Sequence, residues 1–341
     1  MILPPSQFGT MIVMIIGLLC AGLWANTFKA GKVRFEIYYL AFAFGLALAA
    51  VLIAFTAGNL GFDGFSIMDD LSHSRKLQWM DAFLAGMVFN LGNMFLVAAI
   101  SVSGMAVAIP LSLGLALAGG AWLGQWGTRA SNPMFLYLGI GLIAVAILAD
   151  AIAHSSAVET RKATLPKAPK GSRRAGAARG LVLAIVSGIV MLGVKPLVHR
   201  ATIEETALGP YSVMLLLCLG AFASTFMYSL FFINLPVQGH ALEITELFNI
   251  PFKRHIYGIL GGVLCCGGIA ATLVGMLTIP EAQVSRAMFL GLSNGGLVIA
   301  GICGLAIWKE FADGGGRAKA IGSAALLLFA AGVVVLALAF S

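Results

Sequence analysis

ETRKATLPKAPKGSRRAGAAR, residues 159–179, is a stretch that no bilayer core would hold. It is basic, rich in Pro and Ala, and carries no apolar periodicity, so it reads as a linker over about 155–179. Apolar runs fill the chain on both sides of it. A membrane-spanning helix needs about 20 mainly apolar residues. Ten such runs fit: 8–27, 37–58, 80–101, 104–125, 134–153, 180–198, 211–233, 256–278, 285–308 and 318–339. Five precede the linker and five follow it. Because five is odd, two tandem halves must cross the membrane in opposite senses, the arrangement of inverted-repeat secondary transporters. The expected organisation is a first five-helix repeat at 1–154, the basic linker at 155–179, and a second repeat at 180–341. The internal match is faint: SVSG (101–104) and TIPEAQ (278–283) both follow a third span, and Gly-rich runs recur at 85–93 and 261–268.

Composition points the same way. The 341 residues are 60% hydrophobic and only 10% charged, against roughly 25% charged for a soluble domain. The fold class expected is all-α integral membrane. Charge then sets the sidedness. With the N-terminus outside, 15 of the 21 Lys and Arg fall in cytoplasmic loops, which follows the positive-inside rule and puts both termini outside. The net charge of +7 therefore reports orientation, not a nucleic-acid partner. The linker's cations could touch anionic lipid heads, although topology alone accounts for them. MILPPSQFGT has no positive region ahead of its apolar run, so that run counts as a permanent span of a multi-pass protein of the cytoplasmic (inner) membrane. All five cysteines lie in apolar runs without metal or disulfide spacing, so no metal or cofactor is expected.

Polar side chains inside spans are the best pointers to function. Asn90 and Asn93, in FNLGN (89–93), share one helix face. They can either bond a neighbouring helix or line a polar cavity. Ser293 and Asn294, in GLSNGG (291–296), precede two glycines that would let the backbone unwind. Pro110 frees a carbonyl one turn earlier in the fourth span. Lys195, in VKP toward the end of the sixth span, is either an interfacial anchor or a pathway charge. The carboxylates Asp81, Glu36 and Asp150 stand at span ends, where headgroup water reaches. Trp24, Trp79, Trp122, Trp126 and Trp308 also fall near span ends, and Trp24 differs in being followed by Asn26 and Thr27. Ser224, Thr225 and Tyr228 in the seventh span either line a cavity or bond their own helix.

Two separated motifs, WANTFKAGKVRF (24–35) and FNLGNMFLVAAISVSGMAVAIP (89–110), resemble the bacterial relatives of plant ureide permeases. Those group with glucose and rhamnose uptake permeases in the drug/metabolite transporter superfamily. The likeness runs over roughly residues 15–125, and beyond it the second half matches only in hydropathy. It implies ten helices in two inverted repeats around a central solute site with alternating access, carrying ureides, nucleobases or sugars, often with protons. The family's W-A-N-T-x-K falls on Trp24, Ala25, Asn26, Thr27 and Lys29. Its F-N-x-x-N falls on Phe89, Asn90 and Asn93, and its G-M-A-V-A-x-P on Gly104 through Pro110. Where the family commonly reads Tyr-Trp-Asp-Tyr, this chain has Tyr39, Leu40, Ala41 and Phe42, so the acidic residue is missing and Glu36 is the nearest substitute.

The expected function is secondary transport of a small neutral polar solute, by uptake, with a proton as candidate coupling ion. The expected solute-binding residues are Asn90, Asn93, Trp24, Asn26, Thr27, Ser293, Asn294 and Pro110; the coupling candidates are Glu36, Lys195 and Asp81. A carboxamide offers both donors and acceptors to such a solute, and Trp24 offers a flat apolar face. Export of lipophilic drugs or metabolites is the alternative, and would call for a mostly aromatic, Met-lined pocket. A membrane enzyme finds no HExxH, no Gly-x-Ser-x-Gly and no intramembrane Asp pair to support it. A membrane protein without transport activity is a further alternative. The small-residue-rich last span could pack against a second copy of the chain.

Overall fold

The computed structural model describes residues 1–61, 65–124, 130–164, 170–203, 207–234, 237, 251–282 and 284–341, with the side chains of all of these but 161–164, 170–177, 278–282 and 313. Among the described residues every regular element is a helix. They are α1 (Gln7–Gly31), α2 (Phe35–Thr56), α3 (Ile67–His73), α4 (Lys76–Ser103), α5 (Met105–Trp122), α6 (Pro133–Thr164), α7 (Lys170–Met191), α8 (Val194–Ala201), α9 (Pro210–Asn234), α10 (Phe252–Ala282), α11 (Arg286–Asn294), α12 (Gly296–Ile302) and α13 (Gly315–Leu338). A π turn, Cys303–Ile307, follows α12, and a short 3₁₀ turn, Ala312–Gly314, precedes α13. Ten stretches are long and apolar enough to cross a bilayer, and each overlaps one of the ten runs expected from sequence. The chain is thus a multi-pass integral membrane protein. The expected linker is shorter in the backbone than in the composition: α6 continues to Thr164 and α7 begins at Lys170, and 165–169 lie outside the described residues.

Contacts divide the chain into two compact units that each draw on both halves of the sequence. Unit 1 is Met1–Leu91 with Gly193–Ser293, and unit 2 is Gly92–Leu192 with Asn294–Ser341. The chain passes between them inside α4, at the α7–α8 break, and at the end of α11. At the second of these, Gly193 keeps helical dihedrals (φ −72°, ψ −15°), and just beyond the third Gly295 does too (φ −67°, ψ −14°). The ladder is interrupted without unwinding, a milder break than the paired glycines suggest. Pro196 falls in the first turn of α8, where a missing N–H costs nothing.

Unit 1 is built on glycine seams. α10 lies along both α1 and α2. A side chain at Gly258 or Gly262 would strike the α2 backbone between Tyr38 and Leu46, and one at Gly45 would strike Ile259. Such close approach is how helices gain packing where lipid supplies no hydrophobic drive between them. α4 meets α9 the same way, through Gly86 against Leu217 and Gly220 against Phe83. One end of the unit is tied by polar contacts: Ile2 N–H to Ala57 O at 2.7 Å, Tyr211 O–H to Ile2 O at 2.7 Å, and Gly209 N–H to Asp70 Oδ2 at 2.9 Å.

In unit 2, α13 lies along α6, and α5 packs on α6, α7 and α12. Gly139 admits the backbone of Leu336, and Gly332 admits Ile143. Inside it, Ser112 and Ser187 are linked at 2.7 Å, and Ser187 donates to Gly92 O at 2.7 Å.

Candidate functional site

Trp24 of the first motif and Asn90, at the start of the second, both reach a buried cluster around Phe42 in unit 1. α1 presents Trp24 and Phe28, both buried, and the half-buried Thr27. On α2, Tyr38, Tyr39 and Phe42 occupy successive positions of one face, and none is more than 1% exposed. Ring centroids stand 5.4 Å apart for Trp24–Phe42, 5.2 Å for Tyr39–Phe42 and 5.0 Å for Phe28–Tyr38. Tilted and edge-on rings at such spacings are the favourable aromatic geometries. Thr27 Oγ1 lies 2.7 Å from the Tyr38 hydroxyl and 2.6 Å from Trp24 O, so the Tyr38 phenol is anchored to the turn that holds the indole.

From Tyr39 the cluster continues to Asn90. The Tyr39 hydroxyl donates to Asn90 Oδ1 at 2.9 Å, and Asn90 Nδ2 donates to Ser224 Oγ at 2.8 Å. Thr225 Oγ1 stands 3.3 Å from the same Oδ1, although its one proton has a shorter acceptor in Ala221 O at 2.8 Å. Asn90 therefore joins α2, α4 and α9, with all four polar side chains at most 3% exposed. Buried carboxamides need such partners, and here the partners are hydroxyls, which exchange one bond for another readily.

The other expected residues are distributed as follows. Asn26 donates to Leu23 O at 3.1 Å, within its own helix. Ser293 points to Leu290 O at 3.4 Å, and with Asn26 it belongs to unit 1. Asn93 (2% exposed), Pro110 and Asn294 belong to unit 2. Pro110, buried inside α5, lies against the position of Gly301 on α12. Glu36 is 1% exposed and paired with Arg34 at 3.0 Å, and Asp81 is paired with Arg200 at 3.1 Å. Lys195 is partly exposed in the first turn of α8. All five cysteines are free thiols.

Sequence reasoning missed the parts played by Tyr38 and Phe42. An aromatic run in an apolar span looks like any lipid-facing surface, and the only available signal was its position just after the WANT motif. It also missed Glu310, whose carboxylate accepts from Met105 N–H at 2.9 Å and Ala106 N–H at 2.7 Å.

Comparison with known proteins gives one consistent likeness. No family model matches the chain, and no solved structure does. Ureide permease 4 of Arabidopsis thaliana is 20% identical over 394 aligned positions, spanning 97% of each chain. Ureide permease 1 of the same plant is 20% identical, again across 97% of each chain, and ureide permease 2 is 25% identical over 48% of this chain and 43% of its own. The chain is thus an integral membrane protein similar to ureide permeases from end to end.

Proposed function

We propose that this protein is a secondary transporter that takes up a small neutral polar solute, a ureide, nucleobase or sugar, across the cytoplasmic membrane by alternating access. The observation that carries the reading is the convergence of the WANT and FN motifs on one buried cluster of aromatic rings, hydroxyls and a carboxamide in unit 1. A planar or ring-shaped solute with urea-like or hydroxyl edges matches that chemistry: faces for the rings, donors and acceptors for Asn90 and the hydroxyls. The full-length likeness to ureide permeases supports it. Trp24, Asn26, Thr27, Asn90 and Ser293 are the proposed solute-binding residues of unit 1, and Asn93, Asn294 and Pro110 those of unit 2.

The architecture proposed with it is two inverted repeats of five spans, joined by the cytoplasmic segment around 155–179, with both termini outside. Helix pairing supports this. α2 packs on α9, α5 on α12, and α6 on α13. In span order these join the second with the seventh, the fourth with the ninth and the fifth with the tenth, pairs five apart that exchange into themselves under such a repeat, alongside others such as the eighth span on the first and second. Glycines at the chain's passages between units, Gly92 and Gly193, and just past the third, Gly295, supply places to bend.

The test is uptake into proteoliposomes of labelled allantoin, uracil, xanthine, glucose and rhamnose, with a lipophilic cation as comparison. Accumulation of one polar solute, competed by its unlabelled form, supports the reading. Movement of the cation alone assigns the chain to export of lipophilic compounds instead.

A further inference from the structure

Ser229, on α9, holds a buried hydroxyl that the fold leaves unused. The residue is 4% exposed, and its Oγ has no hydrogen-bond partner among the described residues. A serine or threonine inside a helix ordinarily bonds the carbonyl one turn back. On the same helix Ser224 does so to Gly220 O at 2.9 Å, and Thr225 to Ala221 O at 2.8 Å. Ser229 does not. A buried hydroxyl without a partner is a net cost to the fold.

Helix geometry fixes its place. α9 runs from Pro210 to Asn234, so Ser229 shares a face with Thr225, one turn before it, and with Phe232, three residues after it. Both make contacts already described or adjoining them. Thr225 Oγ1 stands 3.3 Å from Asn90 Oδ1, and the Phe232 ring meets Phe35, the first residue of α2, edge-on at 5.4 Å. Tyr39, one turn along α2 from Phe35, reaches Asn90. Ser229 therefore lies on the α9 face that packs on α2, between the Asn90 network and the Phe35–Phe232 pair.

The other hydroxyl protons of the cluster are spent. Tyr39 donates to Asn90 Oδ1, Ser224 to Gly220 O and Thr225 to Ala221 O. Thr27 donates to Trp24 O at 2.6 Å, which leaves the Tyr38 phenol to donate to Thr27. A solute oxygen that takes a proton from any of these must first break a bond. At Ser229 it breaks none.

We propose that Ser229 is a further solute-binding residue of unit 1, donating its O–H to a carbonyl or hydroxyl oxygen of the solute; this rests on the transporter reading above. The bond exists only with solute in place, so its gain is offset by no bond lost within the protein. It also makes Ser229 a specificity-determining residue. An analogue lacking that oxygen leaves the buried hydroxyl unserved and is rejected for it.

The experiment is thermal unfolding of the purified full chain as wild type, Ser229→Ala, Ser229→Cys and Ser212→Ala. Each is measured without solute and over a concentration series of allantoin, uracil, xanthine, glucose and rhamnose. Ser212 is the control: its Oγ, also on α9, is buried without a partner among the described residues, but it stands about 20 Å along the helix from Thr225. Without solute, both alanine variants should unfold at or above the wild-type temperature, because each sheds an unserved hydroxyl. With the solute that stabilises wild type, Ser229→Ala and Ser229→Cys should bind about fivefold more weakly, the loss of one hydrogen bond. Ser212→Ala should bind as wild type does. Cys fills the serine's volume but is a weak donor, so recovered affinity in Ser229→Cys would assign the loss to shape and overturn the proposal. Equal affinity in wild type and Ser229→Ala overturns it and leaves the transporter reading in place. A Ser229→Ala protein that is destabilised without solute, or does not fold, overturns it too, since the hydroxyl would then serve the fold. A wild type stabilised by none of the solutes overturns both.

Discussion

The two units handle buried polarity in opposite ways. In unit 1 the polar groups around Asn90 are cross-linked side chain to side chain across three helices. In unit 2 the described side-chain bonds include the short Ser112–Ser187–Gly92 relay, and toward one end Glu310 serves a helix terminus while Asp150 Oδ2 is buried without a hydrogen-bond partner among the described residues. A cross-linked network specifies geometry because each bond fixes the next group. The contrast is a carboxamide network in unit 1 against a hydroxyl relay that ends on a backbone carbonyl in unit 2.

The comparison can be broken most severely at a glycine seam. A side chain at Gly262 would fall on the α2 backbone, with Gly45 C at 2.9 Å, and backbone cannot step aside as a side-chain tip can. Gly262→Leu should cost about 3 kcal/mol, the top of the overpacking range, and shift thermal unfolding of the purified protein sharply. Gly141→Leu in unit 2, where nothing lies within 4 Å, should leave unfolding within about 0.5 kcal/mol of wild type. Equal effects would mean the seam is not what holds unit 1.

Smaller effects follow from the two networks. Asn90→Ala removes the acceptor of Tyr39 and the donor to Ser224, both buried. Interhelical bonds in membranes average about 0.6 kcal/mol each, and the cavity left by the carboxamide brings the total to about 2 kcal/mol, with Asn90 O and Gly220 O still accepting from the Tyr39 and Ser224 hydroxyls. Ser187→Ala breaks the relay to Gly92 O and should cost about 1 kcal/mol by the same reckoning. Finding the serine relay worth more than the Asn90 network would reverse the contrast drawn between the units.

Much of the fold was legible because a bilayer imposes a length: each of the ten apolar runs became a spanning stretch. The composition of 155–179 was a poorer guide to backbone. Its Ala, Lys and Arg are good helix formers, so α6 and α7 run into it although no apolar stripe marks them. The site was legible only in part. WANT and FN announced themselves as motifs, but the partners of Asn90, Tyr39 and Ser224, lie 51 and 134 residues away, and no local pattern encodes such pairing. Glu310 is 205 residues from the N–H of Met105 that it accepts. Asp150 was read as a carboxylate at the membrane rim, since a span-end position says nothing about which helices cover it.

The central claim, recognition of a polar solute by the unit 1 cluster, is tested most directly by ligand stabilisation in Thr27→Val. That change keeps the side-chain shape and removes the hydroxyl 2.7 Å from Tyr38. A solute at about 100 times its dissociation constant should stabilise wild type by about 2.7 kcal/mol. If the cluster recognises the solute, the same concentration stabilises Thr27→Val by about 1.4 kcal/mol, a tenfold loss of affinity. Full stabilisation of the variant by the same solute would contradict the account.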